Sequence, residues 1–209
     1  MMNTNQLIAS DLLKINAVTL SPNKPFTWAS GIKAPIYTDN RITISFPEVR
    51  SHIADGLAEL IRTKFPEVKV IGGVATAGIP HAAIVADKID LPMIYVRSKP
   101  KDHGRGKQME GSIDENAPIV LIDDLLSTGK SVLNAAQALK NEGYNVIGVV
   151  AIFSYELSDS TKNFKKAGIE FDTLTNYSTI IEQAKAENSI SDNELVVLRK
   201  WRDDPWNWM

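Results

Sequence analysis

The sequence predicts an α/β fold, with a mostly parallel central sheet flanked by helices. Two observations carry this. From residue 68 onward, strand-like and helix-like segments alternate, the rhythm of strand–helix–strand units. The strand-like segments are also near-continuous aliphatic runs, such as Ile119 to Ile122, which suits strands covered on both faces. No internal repeat, low-complexity tract or linker divides the chain, so a single domain over residues 1–209 is expected.

The elements follow in order. Residues 4–18 read as an amphipathic helix, with Leu7, Ile8, Leu12, Leu13 and Ile15 near helical spacing. Residues 26–43 are β-like, broken by Ser30-Gly31 and Pro35 into short strands around a turn. Ser45-Phe46-Pro47-Glu48 has the form of a capping box with proline in the first turn. The helix behind it carries a stripe of Val49, Ile53, Leu57 and Leu60/Ile61. Strands are expected over 68–74, 92–96, 117–122 and 145–153, with a short one over 171–174. Helices are expected over 82–88, 131–141 (closed by Gly143), 159–167, 179–186 and 192–202. The tail WRDDPWNWM carries Trp201, Trp206 and Trp208, which either pin the last helix to the body or serve a subunit contact.

Bulk composition narrows the function. The 209 residues are 44% hydrophobic and 23% charged, enough for one well-filled core. No apolar run approaches the ~20 residues of a membrane helix. The N-terminus has no basic leader before a hydrophobic stretch, and there is no cysteine. Together these lead us to expect a cytoplasmic protein. A net charge of −2 and a pI near 5.9 argue against a broad nucleic-acid surface, so any anion site must be local.

The stretch VLIDDLLSTGKS, residues 120–131, is the most informative. Its ending resembles a nucleotide-binding P-loop, but that pattern needs glycine five residues before Gly129, where Asp124 stands. Ligands of open parallel sheets bind beyond the carboxyl ends of the strands, where Asp123 and Asp124 fall. Ser127, Thr128, Gly129, Lys130 and Ser131 lead straight into a helix, whose free N–H groups and dipole suit a monophosphate. The two carboxylates cannot serve the phosphate. They can accept hydrogen bonds from sugar hydroxyls, or hold a metal directly or through water. The plainer reading is a capped helix start, which two consecutive acids behind four aliphatics make hard to sustain.

A hydrophobic strand, two acids, two aliphatics and S/T-T-G-x-S together resemble the signature of the type I phosphoribosyltransferases, which use 5-phosphoribosyl 1-diphosphate (PRPP). The resemblance implies that family's fold, with a small hood formed by residues 1–45. It implies that Asp123 and Asp124 contact the ribose 2′- and 3′-hydroxyls. Leu125 and Leu126 then lead into the phosphate loop of Ser127 to Ser131, and Thr76, Ala77 and Gly78 in the segment GVATAGIPHA contact the diphosphate.

Residues 97–111, RSKPKDHGRGKQMEG, hold Arg97, Lys99, Lys101, His103, Arg105 and Lys107 against Asp102 and Glu110. With Gly104, Gly106 and Gly111 and only Met109 as an apolar anchor, the segment is expected to be a mobile cationic loop beside the phosphate site. YVRSKPKDHG and FTWASGIKAPIYTDNR (residues 26–41) resemble segments of the orotate phosphoribosyltransferases, in their short bacterial form. That resemblance implies transfer of phosphoribose to orotate, with Arg97, Lys101 and His103 on the diphosphate and Lys101 as the chief catalytic side chain. It also implies Mg2+, held mainly through PRPP and by Asp123 and Asp124, and a homodimer whose loop reaches the neighbouring site. Lys33, Arg41 and Ser127 are candidates for orotate. The chain departs from some relatives at Ala29, Ala77, Ser98 and Tyr155. No catalytic role is expected of His52 or His81. The rival readings are a purine or uracil phosphoribosyltransferase and a PRPP-sensing regulator, for which the chain offers no DNA-binding helix pair.

Overall fold

A computed structural model describes residues 2–28, 31–98 and 108–208. The N-terminal helix α1 (Thr4–Lys14) opens on a capping box between Asn3 and Gln6. It ends earlier than its apolar pattern suggests, because Asn16 turns left-handed (φ 56°) and the chain enters strand β1 (Val18–Leu20). Next come β2 (Phe26–Thr27), β3 (Lys33–Ala34) and β4 (Ile36–Thr38). β2 pairs with β3 and β1 with β4, both antiparallel, forming the expected hood of short strands.

Two expectations fail here. Residues Asn40–Ser45 form a 3-10 helix rather than strand, started by the Asp39 side chain accepting from the Arg41 amide. The capping box at Ser45 does not form, because Ser45 is spent in that 3-10 turn. Phe46 instead precedes α2 (Pro47–Lys64), with no side-chain cap and Pro47 opening the helix.

The body alternates as expected: β5 (Val70–Val74), α3 (Gly78–Ile89), β6 (Met93–Val96), β7 (Met109–Glu110), β8 (Pro118–Leu126), α4 (Lys130–Asn141), β9 (Asn145–Ser154), α5 (Ser158–Ala167), β10 (Glu170–Asn176), α6 (Tyr177–Ala186) and α7 (Asp192–Asp203). Boundaries move by a few residues, and two shifts matter. α3 begins at Gly78, directly behind the turn that follows β5. β8 runs four residues past Ile122, carrying both acids inside the strand.

The sheet order is β10-β9-β8-β5-β6-β7, parallel except for the β6–β7 pair. Strand order therefore reverses between β5 and β8, the place where open α/β sheets bind ligands. Alternate strand residues feed two cores. Ile71, Val120, Ile122, Val150 and Ile152 pack with the side carrying α1, α2 and α6. Val70, Ile119, Leu121, Val149 and Ala151 pack with the side carrying α4 and Phe164 of α5. Trp201 of α7 is fully buried in the first core, its Nε1 donating to the Lys33 carbonyl at 2.9 Å, and Trp208 packs half-buried against that core, whereas Trp206 is exposed, so the expected pinning holds for two of the three tryptophans.

Candidate active site

The crevice at the β5–β8 reversal is built by close backbone approach. The turn after β5 contains a cis peptide bond between Ala75 and Thr76 and passes directly into α3. Gly78 opens that helix so near β8 that an added Cβ would lie 2.3 Å from the Ile122 carbonyl oxygen. Only glycine permits this approach. Across the crevice, Gly129 takes φ +73° ahead of α4, against the ring of Phe164, and Asn163 donates to the Thr128 carbonyl at 2.9 Å. Neither α3 nor α4 has a side-chain cap; the first amides of α4 remain available at this end of the sheet, whereas in α3 the Ile79 amide donates to the Thr76 carbonyl at 3.3 Å and Pro80 has no N–H.

Between these helix starts sit the acids. Asp123 is 8% exposed and accepts the Asp124 amide at 3.0 Å. Burial, and then the charge of Asp124, push the Asp123 carboxyl up to about 7. Burial also raises Asp124. Among the described residues neither acid has a salt bridge, so their charge waits for hydroxyl donors or a cation. The donor set suits a divalent ion held jointly with a polyhydroxyl ligand. It is too small to form a protein cage, since no group of three or more metal-ligating side chains occurs among the described residues.

Of the site residues singled out in the sequence, Arg97 and Ser131 come together in one cavity. Ala75, Arg97, Ser98, Gln108, Ser131 and Asn134 line one cavity of about 110 Å³, joining the turn after β5, the start of the basic loop and the start of α4. Arg97 lies at the loop's base, where its amide donates to the Gln108 carbonyl at 2.9 Å and its guanidinium stands 3.7 Å from Glu110. β7 was not expected: residues 109–110, inside the segment read from the sequence as a mobile loop, form a strand paired with β6. Lys99, Lys101, His103, Arg105 and Lys107 lie outside the described residues.

The orotate candidates are more dispersed. Lys33 is exposed on β3 and donates to Thr27 Oγ1 at 2.7 Å. Arg41 holds Asp39 through two contacts of 2.6 and 2.7 Å, which raises its already high pKa. Ser127 is half-buried in the turn between β8 and α4. Tyr155 is buried, its ring 4.7 Å from Trp28 and 6.3 Å from Trp201, and it joins the hood to the end of β9.

Sequence reading missed Asn40. It is 1% exposed and its Nδ2 donates to the Asp124 carbonyl at 2.7 Å. A lone asparagine between Asp39 and Arg41 has no periodicity to reveal that it faces a strand 84 positions away.

Comparison with known proteins agrees with this geometry. The phosphoribosyl transferase domain model matches residues 45–186, more than half of the chain. An orotate phosphoribosyltransferase from Levilactobacillus brevis is 61% identical over 202 residues, covering 97% of this chain and 96% of its own length. The chain belongs to the orotate phosphoribosyltransferase family. A relative of the same name from Enterococcus faecalis is 59% identical, covering 96% of both chains. The crystal structure of orotate phosphoribosyltransferase from Aeropyrum pernix superposes with a TM-score of 0.75 at 26% identity, covering 86% of this chain and 98% of that one. The domain model stops short of the hood, whereas the full-length relatives span it.

Proposed function

We propose that this chain transfers the 5-phosphoribosyl group of PRPP to N1 of orotate, giving orotidine 5′-monophosphate and diphosphate in pyrimidine nucleotide synthesis. The observation that carries this is the acid pair, Asp123 buried and Asp124 half-buried, between two uncapped helix starts at the sheet's reversal point. One helix start seats the 5′-phosphate, through the Ser127–Ser131 loop. The other, behind Thr76, Ala77 and Gly78, seats the diphosphate. The acids between them take the ribose hydroxyls.

In the reaction the bond from C1 of the ribose to the diphosphate oxygen breaks and the N1–C1 bond forms. The N1 proton passes to solvent. Positive charge develops on the ring carbon beside Asp123 and Asp124, whose carboxylates lie fixed in a site of low polarity and stabilise it. Negative charge develops on the leaving oxygen, where Arg97, Lys101 and His103 serve. Mg2+ bound with PRPP would neutralise charge on the diphosphate, and Asp123 and Asp124 are the side chains that would help hold it. Lys33 and Arg41 are the cations of the hood available to the orotate carboxylate. Arg41 would have to exchange Asp39 for the substrate. We place the working form in a homodimer, with the basic loop serving the neighbouring site, in the cytoplasm; no described helix is long and apolar enough to cross a membrane.

The test is loss of orotate absorbance that requires both PRPP and Mg2+. Consumption of a purine or uracil in place of orotate would move the chain to a different branch of the family. Tight PRPP binding with no base consumed would favour a sensor.

A further inference from the structure

We propose that Asn40 is a positioning residue, whose side-chain amide holds the Asp124 main chain and thereby sets how the acid pair faces the ribose. The inference rests on the ribose role of Asp123 and Asp124 proposed above. Pairing of β8 with β5 ends at the Gly73–Ile122 register, while β8 continues to Leu126 beside β9 alone. The acids therefore stand on a stretch of strand supported by the sheet on one side. On that stretch Asn40 Nδ2 donates to the Asp124 carbonyl at 2.7 Å, from a side chain 1% exposed. A hydrogen bond to the main chain constrains the carboxylate's direction without consuming its oxygens, which stay free for hydroxyls.

Asn40 is itself held from behind. Thr43, fully buried, donates through Oγ1 to the Asn40 carbonyl at 2.6 Å. His81 Nε2 lies 3.5 Å from the same hydroxyl. Burial lowers the His81 pKa to about 4, so the ring is neutral near pH 7 and adds no charge to the chain of contacts. His81 belongs to α3, whose first residue Gly78 lies in the diphosphate turn. A buried polar chain thus joins α3, the 3-10 helix of the hood and the acid strand.

Asn40 also carries a sign that packing is not its purpose. Its Oδ1 is buried and has no hydrogen-bond partner among the described residues, which costs stability that an apolar residue of the same shape would not incur. Leucine is close in shape and lacks both the donor and the orphaned acceptor.

The experiment measures steady-state kinetics of Asn40→Leu and Thr43→Val with PRPP and orotate varied separately, alongside thermal unfolding. Asn40→Leu is expected to lower kcat/KM for PRPP by about tenfold, the scale of one buried hydrogen bond. The KM for orotate at saturating PRPP and the Tm should stay near the parent's. Thr43→Val should show the same split with a smaller loss. A folded Asn40→Leu enzyme with the parent's kcat/KM for PRPP would overturn the inference. Equal losses for both substrates with a lowered Tm would also overturn it, by making the role purely structural. Should Asn40→Leu fail to fold, Thr43→Val decides by the same split. If the parent consumes no orotate, the proposed function fails first. Calorimetric titration then still tests Asn40, since Asn40→Leu should lose affinity for ribose 5-phosphate and keep it for inorganic phosphate.

Discussion

Gly78→Ala isolates the contact on which the crevice is built. The added Cβ would sit 2.3 Å from the Ile122 carbonyl oxygen, where real Cβ atoms keep at least 3.0 Å, so α3 and β8 must separate by no less than the 0.7 Å difference. The obstacle is main chain on both sides and cannot swing aside as a side chain would. Overpacking of this kind costs about 1–3 kcal/mol, which for a chain of this length lowers Tm by roughly 5 °C. The effect on function should be larger. A displacement approaching ~1 Å of groups that position a reacting substrate costs on the order of a hundredfold in rate, and Gly78 borders both the turn after β5 and the acid strand. Gly143→Ala is the control. Its φ of +89° makes alanine strained by roughly 1 kcal/mol, yet an added Cβ there meets nothing within 4 Å, at the far end of α4 from the site. The assay is kcat/KM for PRPP with Tm measured in parallel. Gly78→Ala should lose both, and Gly143→Ala only stability. A Gly78→Ala enzyme with the parent's kcat/KM, or a Gly143→Ala enzyme with an equal kinetic loss, would refute the reasoning.

Three further outcomes are expected. Lys101→Ala should reduce kcat by about two to three orders of magnitude, the scale of losing one preorganised charge at the leaving group, with Tm unchanged; near-normal turnover would remove the basic loop from the mechanism. The acid pair should set a pH dependence of stability in the free protein. Because the Asp123 pKa is raised from 3.8 to about 7, the folded state keeps a proton that the unfolded state has lost. Stability from this group is therefore full below about 4 and falls as pH rises through about 7; a Tm-versus-pH series in which Asp123→Asn keeps the parent's slope would contradict it. Trp201→Phe removes the donor to the Lys33 carbonyl from a fully buried ring and should cost about 1–3 kcal/mol. It should also raise the KM for orotate more than that for PRPP, because the tie is to the hood; equal effects on both KM values would show that α7 does not hold the base side of the site.

Local chemistry made the acid strand and the phosphate loop legible. Aliphatic residues ending in two acids and a small-residue turn leave few structures open to the backbone, and the observed crevice uses those residues. The basic segment was equally visible from its charge. Element types in the body were legible because buried strands and amphipathic helices differ in period. Their ends were not. β8 continues through Asp123 to Leu126 because β9 keeps pairing with it, a long-range contact that no local pattern records. The 3-10 helix at residues 40–45 defeated the strand reading because Thr43 and Asn40 satisfy one another and Asp124 rather than a neighbouring strand.

The sequence by itself therefore determined the class of fold and the family, and singled out the candidate groups of the site, since each depends on residue types at short spacing. Only the tertiary structure decided how those groups face each other. Asn40 reaching Asp124, Gly78 lying against Ile122 and Trp201 closing on Lys33 join positions far apart in the chain. Such contacts arise only when separate elements bury their faces together, and the geometry they impose is set by the packed whole rather than by any segment.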